Sequence, residues 1–156
     1  MAQDGVFEGT LSWHGQPAER PFTYETIERA TRLEFPGGAS IDASAPAQFM
    51  GDDSRANPET LMLGSLMQCH FLTFMAVAAK SGATVLSYSD SATGTLGRKD
   101  DGKTGFVSVT LRPQVVLDEA HQDRLATFHE KAHRNCFMSN SVNFPVTIEP
   151  ALAPAG

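Results

Sequence analysis

Nineteen consecutive residues, Leu61 to Ala79, carry no formally charged side chain, and few folds can accommodate such a run. Asn57-Pro58-Glu59 precedes it and Lys80-Ser81-Gly82 follows it. Asn57 suits a helix cap, Pro58 the first helical position and Gly82 the residue beyond the end, so the pattern predicts one long helix. Glu59 in its first turn and Lys80 in its last each oppose the local pole of the helix dipole. At its middle stand Cys69 and His70, among Leu66, Met67, Phe71, Leu72, Phe74 and Met75. A helix apolar nearly all round is expected to be buried on nearly all sides. The thiol at its centre is the first functional candidate.

The run is long enough to span a bilayer, for which roughly 20 apolar residues suffice. It also carries Ser65, Gln68, His70 and Thr73, and it lacks aromatic anchors and a basic flank, which favours the core helix of a soluble protein. The N-terminus, Met1-Ala2-Gln3-Asp4-Gly5, has no basic patch followed by an apolar run, so a secretory signal is not expected and the cytoplasm is. In that compartment two cysteines point to catalysis or metal binding rather than to a permanent disulfide. A net charge of -6 argues against nucleic acid and anionic membrane as partners.

The 156 residues suffice for one domain, expected over residues 1–150 with a short tail over 151–156. Strands are expected over Val6 to Trp13, Phe22 to Phe35 and Ala39 to Ser44, with a turn at Pro36-Gly37-Gly38. Ala45 to Ala56 reads as a polar loop feeding the central helix. Beyond Gly82, Thr84 to Leu96 and Thr104 to Val116 flank Asp100-Asp101-Gly102-Lys103, a hairpin signal. Asp118 to His133 predicts a second helix with Leu125, Phe128 and Ala132 on one face, and a last strand falls near Val146 to Glu149. Strands, helix, hairpin, helix and strand make an α+β domain.

Cys69 lies in the first helix and Cys136 at the end of the second or the start of a short third. Helices packed side by side would permit a disulfide; equally, both thiols can serve as small buried apolar residues. His129, His133 and Cys136 would share one helical face if the helix continues that far, and with Cys69 they would form a Cys2His2 set suited to zinc. The Asn135 region interrupts that face, so a metal is not the expected outcome. His70 reads more simply as a core or interface histidine than as a base.

Two motifs add a resemblance. Asn57-Pro58-Glu59 with Cys69 ten positions beyond Glu59, and Cys136-x-x-Ser139-Asn140, resemble the signatures of the OsmC and organic hydroperoxide resistance proteins. The resemblance runs from about Arg29 to Val146, and Cys69-His70 with Ser139-Asn140-Ser141-Val142 points to the OsmC-like branch. It implies an OsmC-like fold with antiparallel sheets around a long buried helix, an intertwined homodimer with its sites at the subunit interface, and a thiol peroxidase reducing organic hydroperoxides in oxidative stress. Cys69 would attack the peroxide and Cys136 resolve the product as a disulfide, which an external dithiol, small or lipoyl-type, would reduce.

The nucleophile in such chemistry is a thiolate, and a buried thiol resists ionisation, so a nearby cation is needed. Arg29 falls where the family places its arginine, with Arg20 and Arg32 as neighbours that could be confused with it. A guanidinium stays charged and could also stabilise the departing alkoxide, and Glu59 would orient Arg29 through a two-pronged ion pair. Ten residues of helix separate Glu59 from Cys69 by roughly 15 Å, so Glu59 would serve the thiol of a second copy. Met62, Leu66, Leu72, Phe137 and Met138 are the expected apolar walls for substrate. No Cys-x-x-Cys, flavin or nicotinamide fingerprint is present, so no cofactor is expected. The alternatives are a redox sensor that uses the same thiols without turnover and a zinc-stabilised structural protein.

Overall fold

The computed structural model describes residues 4–154. The two ends, and with them part of the N-terminal reading and the last two tail residues, lie outside the described residues. The chain forms two compact units, Met1–Leu61 and Met62–Gly156.

In the first unit, β1 (Thr10–Ser12), β2 (Thr31–Glu34) and β3 (Ser40–Ala43) form an antiparallel meander. Leu11, Leu33 and Ile41 lie side by side across it. The turn between β2 and β3 uses Gly37 and Gly38 at φ 89° and 88°, where a side chain would be strained. The strands are shorter than the sequence pattern predicts. From Phe22 to Ala30 most backbone donors go to local acceptors rather than to a ladder: Thr23 N–H to Thr26 Oγ1, the Thr26 and Ile27 N–H groups to Thr23 O, and the Arg29 and Ala30 N–H groups to Glu28 Oε1. Such local bonds compete with a ladder and win here. The loop after β3 is tightly folded, because Ser44 N–H donates to Ala56 O and Gly51 N–H to Pro46 O. A Cβ on Gly51 would stand 1.7 Å from the Ala45 carbonyl oxygen, so nothing larger fits.

The long helix, α1 (Pro58–Lys80), starts at the boundary of the two units. Its entry is a reciprocal cap: Thr60 N–H donates to Asn57 Oδ1, and Asn57 N–H donates to Thr60 Oγ1. Its exit is Gly82 at φ 77°, with Ala83 N–H reaching back to Ala78 O. Both ends fall where the sequence places them.

The second unit holds two three-stranded sheets. β4 (Val85–Ser89) and β7 (Gln114–Leu117) pair antiparallel, as do β5 (Ala92–Arg98) and β6 (Thr104–Leu111). The two long strands of the expected hairpin are each broken, at Asp90-Ser91 and at Arg112-Pro113. Pro113 can donate nothing to a ladder, and Asp90 Oδ1 accepts from Arg112 N–H across the gap. After β7, residues 119–124 form a 3-10 turn that leads into α2 (Leu125–Asn135), so the second helix starts later and runs further than expected. The five-residue α3 (Phe137–Ser141) follows. β8 (Val146–Ile148) then adds in parallel to β6, and β9 (Ala151–Leu152) in parallel to β7. The expected tail therefore begins as a strand, because Ala151 N–H finds Pro113 O.

The core of this unit has two clusters. Phe74 and Ala78 of α1 pack with Val115 and Leu117 of β7 and with Leu125, Phe128 and Ala132 of α2. Leu66 packs with Val109 and Leu111. Only Leu66, His70, Phe74 and Ala78 of α1 are fully buried, one stripe at every fourth residue. The expectation of burial on nearly all sides is thus corrected for the single chain. Leu72 remains 55 % exposed and Met62 38 %, although the helix is long and apolar enough to cross a membrane.

Candidate thiol site

Cys69 and Cys136 reach one another from two helices. Cys69 precedes the stripe residue His70 on α1 and is half-buried, while Cys136 is fully buried. Cys136 ends α2 and caps α3 with an extended backbone at φ -74° and ψ 111°. Its Sγ accepts from Ser139 N–H at 3.5 Å. Both cysteines are free thiols. Burial pushes the Cys136 thiol up, the Ser139 donors pull it down, and the neighbouring Cys69 adds to the rise. Cys136 is therefore held as a thiol, while Cys69 is the more accessible of the two.

Beside the thiols lies a buried pair of imidazoles. His70 Nε2 and His129 Nδ1 are 2.9 Å apart, one ring donating its N–H to the lone pair of the other. The ring planes lie within 10° of parallel with centroids 5.2 Å apart, edge to edge, and Phe74 stacks on His129 with centroids 4.2 Å apart. Burial lowers both rings, His70 to about 4 and His129 to about 3, and the charge of His133 further disfavours the cation of His70. His70 Nδ1, His129 Nε2 and His133 Nδ1 are buried without partners among the described residues. Sequence reading placed His70 in the core but missed its bond to His129. The signal was a polar residue on the stripe Leu66-His70-Phe74-Ala78, facing a helix whose own apolar face includes position 129.

The zinc set does not assemble. α2 stops at Asn135, so Cys136 leaves the face of His129 and His133, and His129 turns to His70 instead. Among the described residues, no group of three or more histidine, cysteine or acidic side chains is arranged to hold a metal ion.

Arg29 belongs to the first unit. Its Nη1 donates to Ile27 O at 2.9 Å, its Nη2 donates to Tyr24 O, and its guanidinium lies over the Tyr24 ring at 5.2 Å. No carboxylate pairs with it among the described residues. Arg20, by contrast, pairs with Glu28 at 3.4 Å and Arg32 with Asp42 at 2.9 Å. The expected ion pair of Arg29 with Glu59 is not formed within the chain, because the backbone carbonyls already hold the guanidinium. Glu59 Oε2 is buried with no partner among the described residues. Arg29 also lines a polar cleft of about 470 Å³ with Arg20, Glu28 and Asp52.

Of the expected apolar walls, Leu66 is fully buried between Val109 and Leu111 and serves the core, which removes it from any open wall. Met62, Leu72, Phe137 and Met138 remain exposed, Phe137 to 61 %.

Comparison with known proteins accords with this architecture. The family model for OsmC-like proteins matches residues 51–151. The solved structure of an OsmC-like protein of unknown function from Vibrio cholerae is 35% identical, with a TM-score of 0.88, over 95% of this chain and 100% of that one. The uncharacterised protein YmaD of Bacillus subtilis is 26% identical over 72% of this chain and 77% of its own length. An organic hydroperoxide resistance protein from Elizabethkingia anophelis shares the fold at 17% identity and a TM-score of 0.72, over 99% of this chain and 100% of that one. An α+β fold built on a long cysteine-bearing helix, matched by the family model over most of its length, places this chain in the OsmC-like family.

Proposed function

We propose that the protein is a cytoplasmic thiol peroxidase that reduces organic hydroperoxides through Cys69 and Cys136. The observation that carries this reading is the pairing of an accessible thiol with a buried one held protonated. The Cys69 thiolate attacks the outer peroxide oxygen, the O–O bond breaks, and the alcohol leaves with a proton. Cys69 is then a sulfenic acid. Cys136 attacks its sulfur, water departs and a disulfide remains, which keeps Cys69 from irreversible oxidation. An external dithiol, lipoyl-type or smaller, reduces the disulfide by exchange and leaves as a disulfide itself.

Arg29 supplies the cation that favours the thiolate. Its lack of a carboxylate partner supports this choice over Arg20 and Arg32, whose charge is already compensated. Glu59, whose Oε2 is buried without a partner among the described residues, offers its carboxylate to the assembled site. Because Glu59 lies ten residues along α1 from Cys69, the site is completed in a homodimer whose α1 helices cross antiparallel, one protomer's Glu59 beside its partner's Cys69. The uncovered apolar flank of α1, Met62 and Leu72 included, supports such an assembly. The family likeness to hydroperoxide resistance proteins supports the substrate class.

Thiol-dependent peroxide consumption tests the reading. Cys69→Ser abolishes turnover, whereas Cys136→Ser consumes about one equivalent and then overoxidises, as mass spectrometry would show. Exposed Met62, Leu72, Phe137 and Met138 offer apolar contact to an organic group, each buried methylene contributing about 0.8 kcal/mol. Cumene hydroperoxide is therefore turned over with a kcat/KM on the order of fifty- to hundredfold above that of hydrogen peroxide. Equal values would make this a general peroxidase. A disulfide that forms without turnover would make it a sensor.

A further inference from the structure

We infer that His70 and His129 are a positioning pair that pins α1 against α2 in the register at which Cys69 and Cys136 can bond. The inference rests on the two-cysteine reading above and adds residues that the reading does not use.

Cys69 is the residue before His70 on α1, and Cys136 follows the last residue of α2, seven positions beyond His129. Whatever fixes His70 against His129 therefore fixes where the two sulfurs meet. The remaining contacts between these helices, among Phe74, Ala78, Phe128 and Ala132, are apolar. Apolar contacts are non-directional and tolerate sliding and rotation. A buried hydrogen bond does not: it has one length and one direction, and breaking it strands two polar groups in the core. Setting register is the best-attested use of a buried polar pair. A disulfide is in turn intolerant of register, since its Cα atoms must lie within about 4.4–6.8 Å. A slide of one residue's rise, about 1.5 Å, uses up most of that range.

The pair is built for the task. Both rings are sealed from water, and Phe74 covers His129. Burial keeps both rings uncharged at neutral pH, so the contact is a neutral N–H···N bond with no repulsion to offset. No carboxylate pairs with either ring among the described residues, so neither is drawn toward a competing partner. His133 and the two thiols are the other titratable groups nearby.

The test is the thiol–disulfide equilibrium of the folded protein against reduced and oxidised dithiothreitol at pH 7. In it, two Cys–SH groups become one S–S bond as the cyclic disulfide of the reagent becomes a dithiol. The constant needs no peroxide, so its outcome is separate from that of the turnover assay. His70→Phe and His129→Phe lower it on the order of ten- to a hundredfold, the scale set by one lost buried hydrogen bond. His70→Gln combined with His129→Asn places amide groups where Nε2 and Nδ1 stood and restores the constant to within a few-fold. Should either phenylalanine variant fail to fold, His70→Gln and His70→Asn make the same comparison. Glutamine reaches the Nε2 position, while asparagine falls short by one methylene. A purely structural role would lower the melting temperature of these variants and leave the equilibrium constant of the folded protein unchanged. An unchanged constant in the phenylalanine variants, equal constants for glutamine and asparagine, or failure of the folded double variant to rescue would each overturn the inference. A wild-type protein that forms no disulfide would overturn it together with the peroxidase reading. Loss of peroxide turnover alone, with the disulfide intact, would overturn only the peroxidase reading.

Discussion

In Met62–Gly156, aromatic and aliphatic side chains from both sheets and both long helices close over Phe74, Phe128 and Leu111, none of which touches water. In Met1–Leu61, Ala43 and Ser44 are the only buried side chains among the described residues, still 6 % and 7 % exposed, and order comes from hydrogen bonds instead. Asp53 Oδ1 accepts from Ala47 N–H, Asp52 accepts from Ser54 and Arg55, and Glu28 accepts from two backbone N–H groups. The same unit displays Val6, Phe7 and Phe22 to solvent and holds Arg29, whose guanidinium pairs with no carboxylate among the described residues, unlike those of Arg20 and Arg32. A region that lacks its own core, yet carries exposed apolar side chains and an uncompensated cation, is suited to work against another surface. The contrast teaches that the stable part of this protein carries the thiols, while the part organised by hydrogen bonds carries the charge proposed to activate them.

The largest effect expected across this contrast comes from truncating one aromatic in each unit. Phe128→Ala removes a fully buried ring and should cost about 3–5 kcal/mol in urea unfolding. Phe22→Ala, at a side chain 74 % exposed, should stay within about 0.5 kcal/mol for a dilute single chain. A cost for Phe22→Ala that grows with protein concentration would show that assembly covers the first unit. Equal costs at every concentration would break the contrast.

Acid should sharpen it. His70 and His129 titrate in the fold at about 4 and about 3, below the ordinary 6.5, so the unfolded chain binds more protons in that window. The stability they contribute is complete above the unfolded value and is lost as pH falls from about 6.5 towards 4, by at most about 1.4 kcal/mol per pH unit for each ring. Glu28 and Asp52 in the first unit are lowered as well, chiefly by the Ala30 N–H and the Ser54 hydroxyl, respectively. Their contribution persists above the ordinary carboxylate range and is lost only below it. Hydrogen exchange between pH 6.5 and 5 should thus loosen α1 and α2 before the loops of the first unit. The reverse order would refute this assignment of the acid response. The His70→Gln, His129→Asn protein should lose the response.

The smallest effect concerns the arginines. Arg29→Ala should slow alkylation of Cys69 by iodoacetamide at pH 7 about tenfold, the scale of one cation beside a thiolate. Arg32→Ala, which removes a cation already paired with Asp42, should leave that rate unchanged. Equal rates in both variants would detach Arg29 from the thiol.

Much of this was legible in the sequence where a local rule decides the outcome. The ends of α1 follow from Asn57, Pro58 and Gly82, and the buried face of α2 from the spacing of Leu125, Phe128 and Ala132. Where side chains compete with the backbone for hydrogen bonds, pattern misled. Glu28 and Thr26 dissolve most of a predicted strand, and Pro113 splits another. Burial of α1 was misjudged for a different reason. Composition says which residues resist water, but only tertiary packing says how much surface one chain has available to cover them. At the site, each cysteine was legible singly. The bond between His70 and His129 was not, because it joins residues 59 positions apart: the sequence shows a polar residue on each apolar face but not which residue partners it.

The two parallel additions bear on the order in which this chain is made and folded. The ribbon of β5 and β6 closes through residues 99–103 and can form within microseconds of its synthesis. β8 joins β6 only when Val146 reaches Val109, and β9 joins β7 only when Ala151 reaches Gln114. Until residues 146–152 leave the ribosome, β6 and β7 each keep one edge unpaired beside a half-built core. Non-local pairings of this kind form late and slowly, and an open edge is a template for another chain. Until β8 and β9 emerge, the nascent protein is therefore open to association with its neighbours on the polysome.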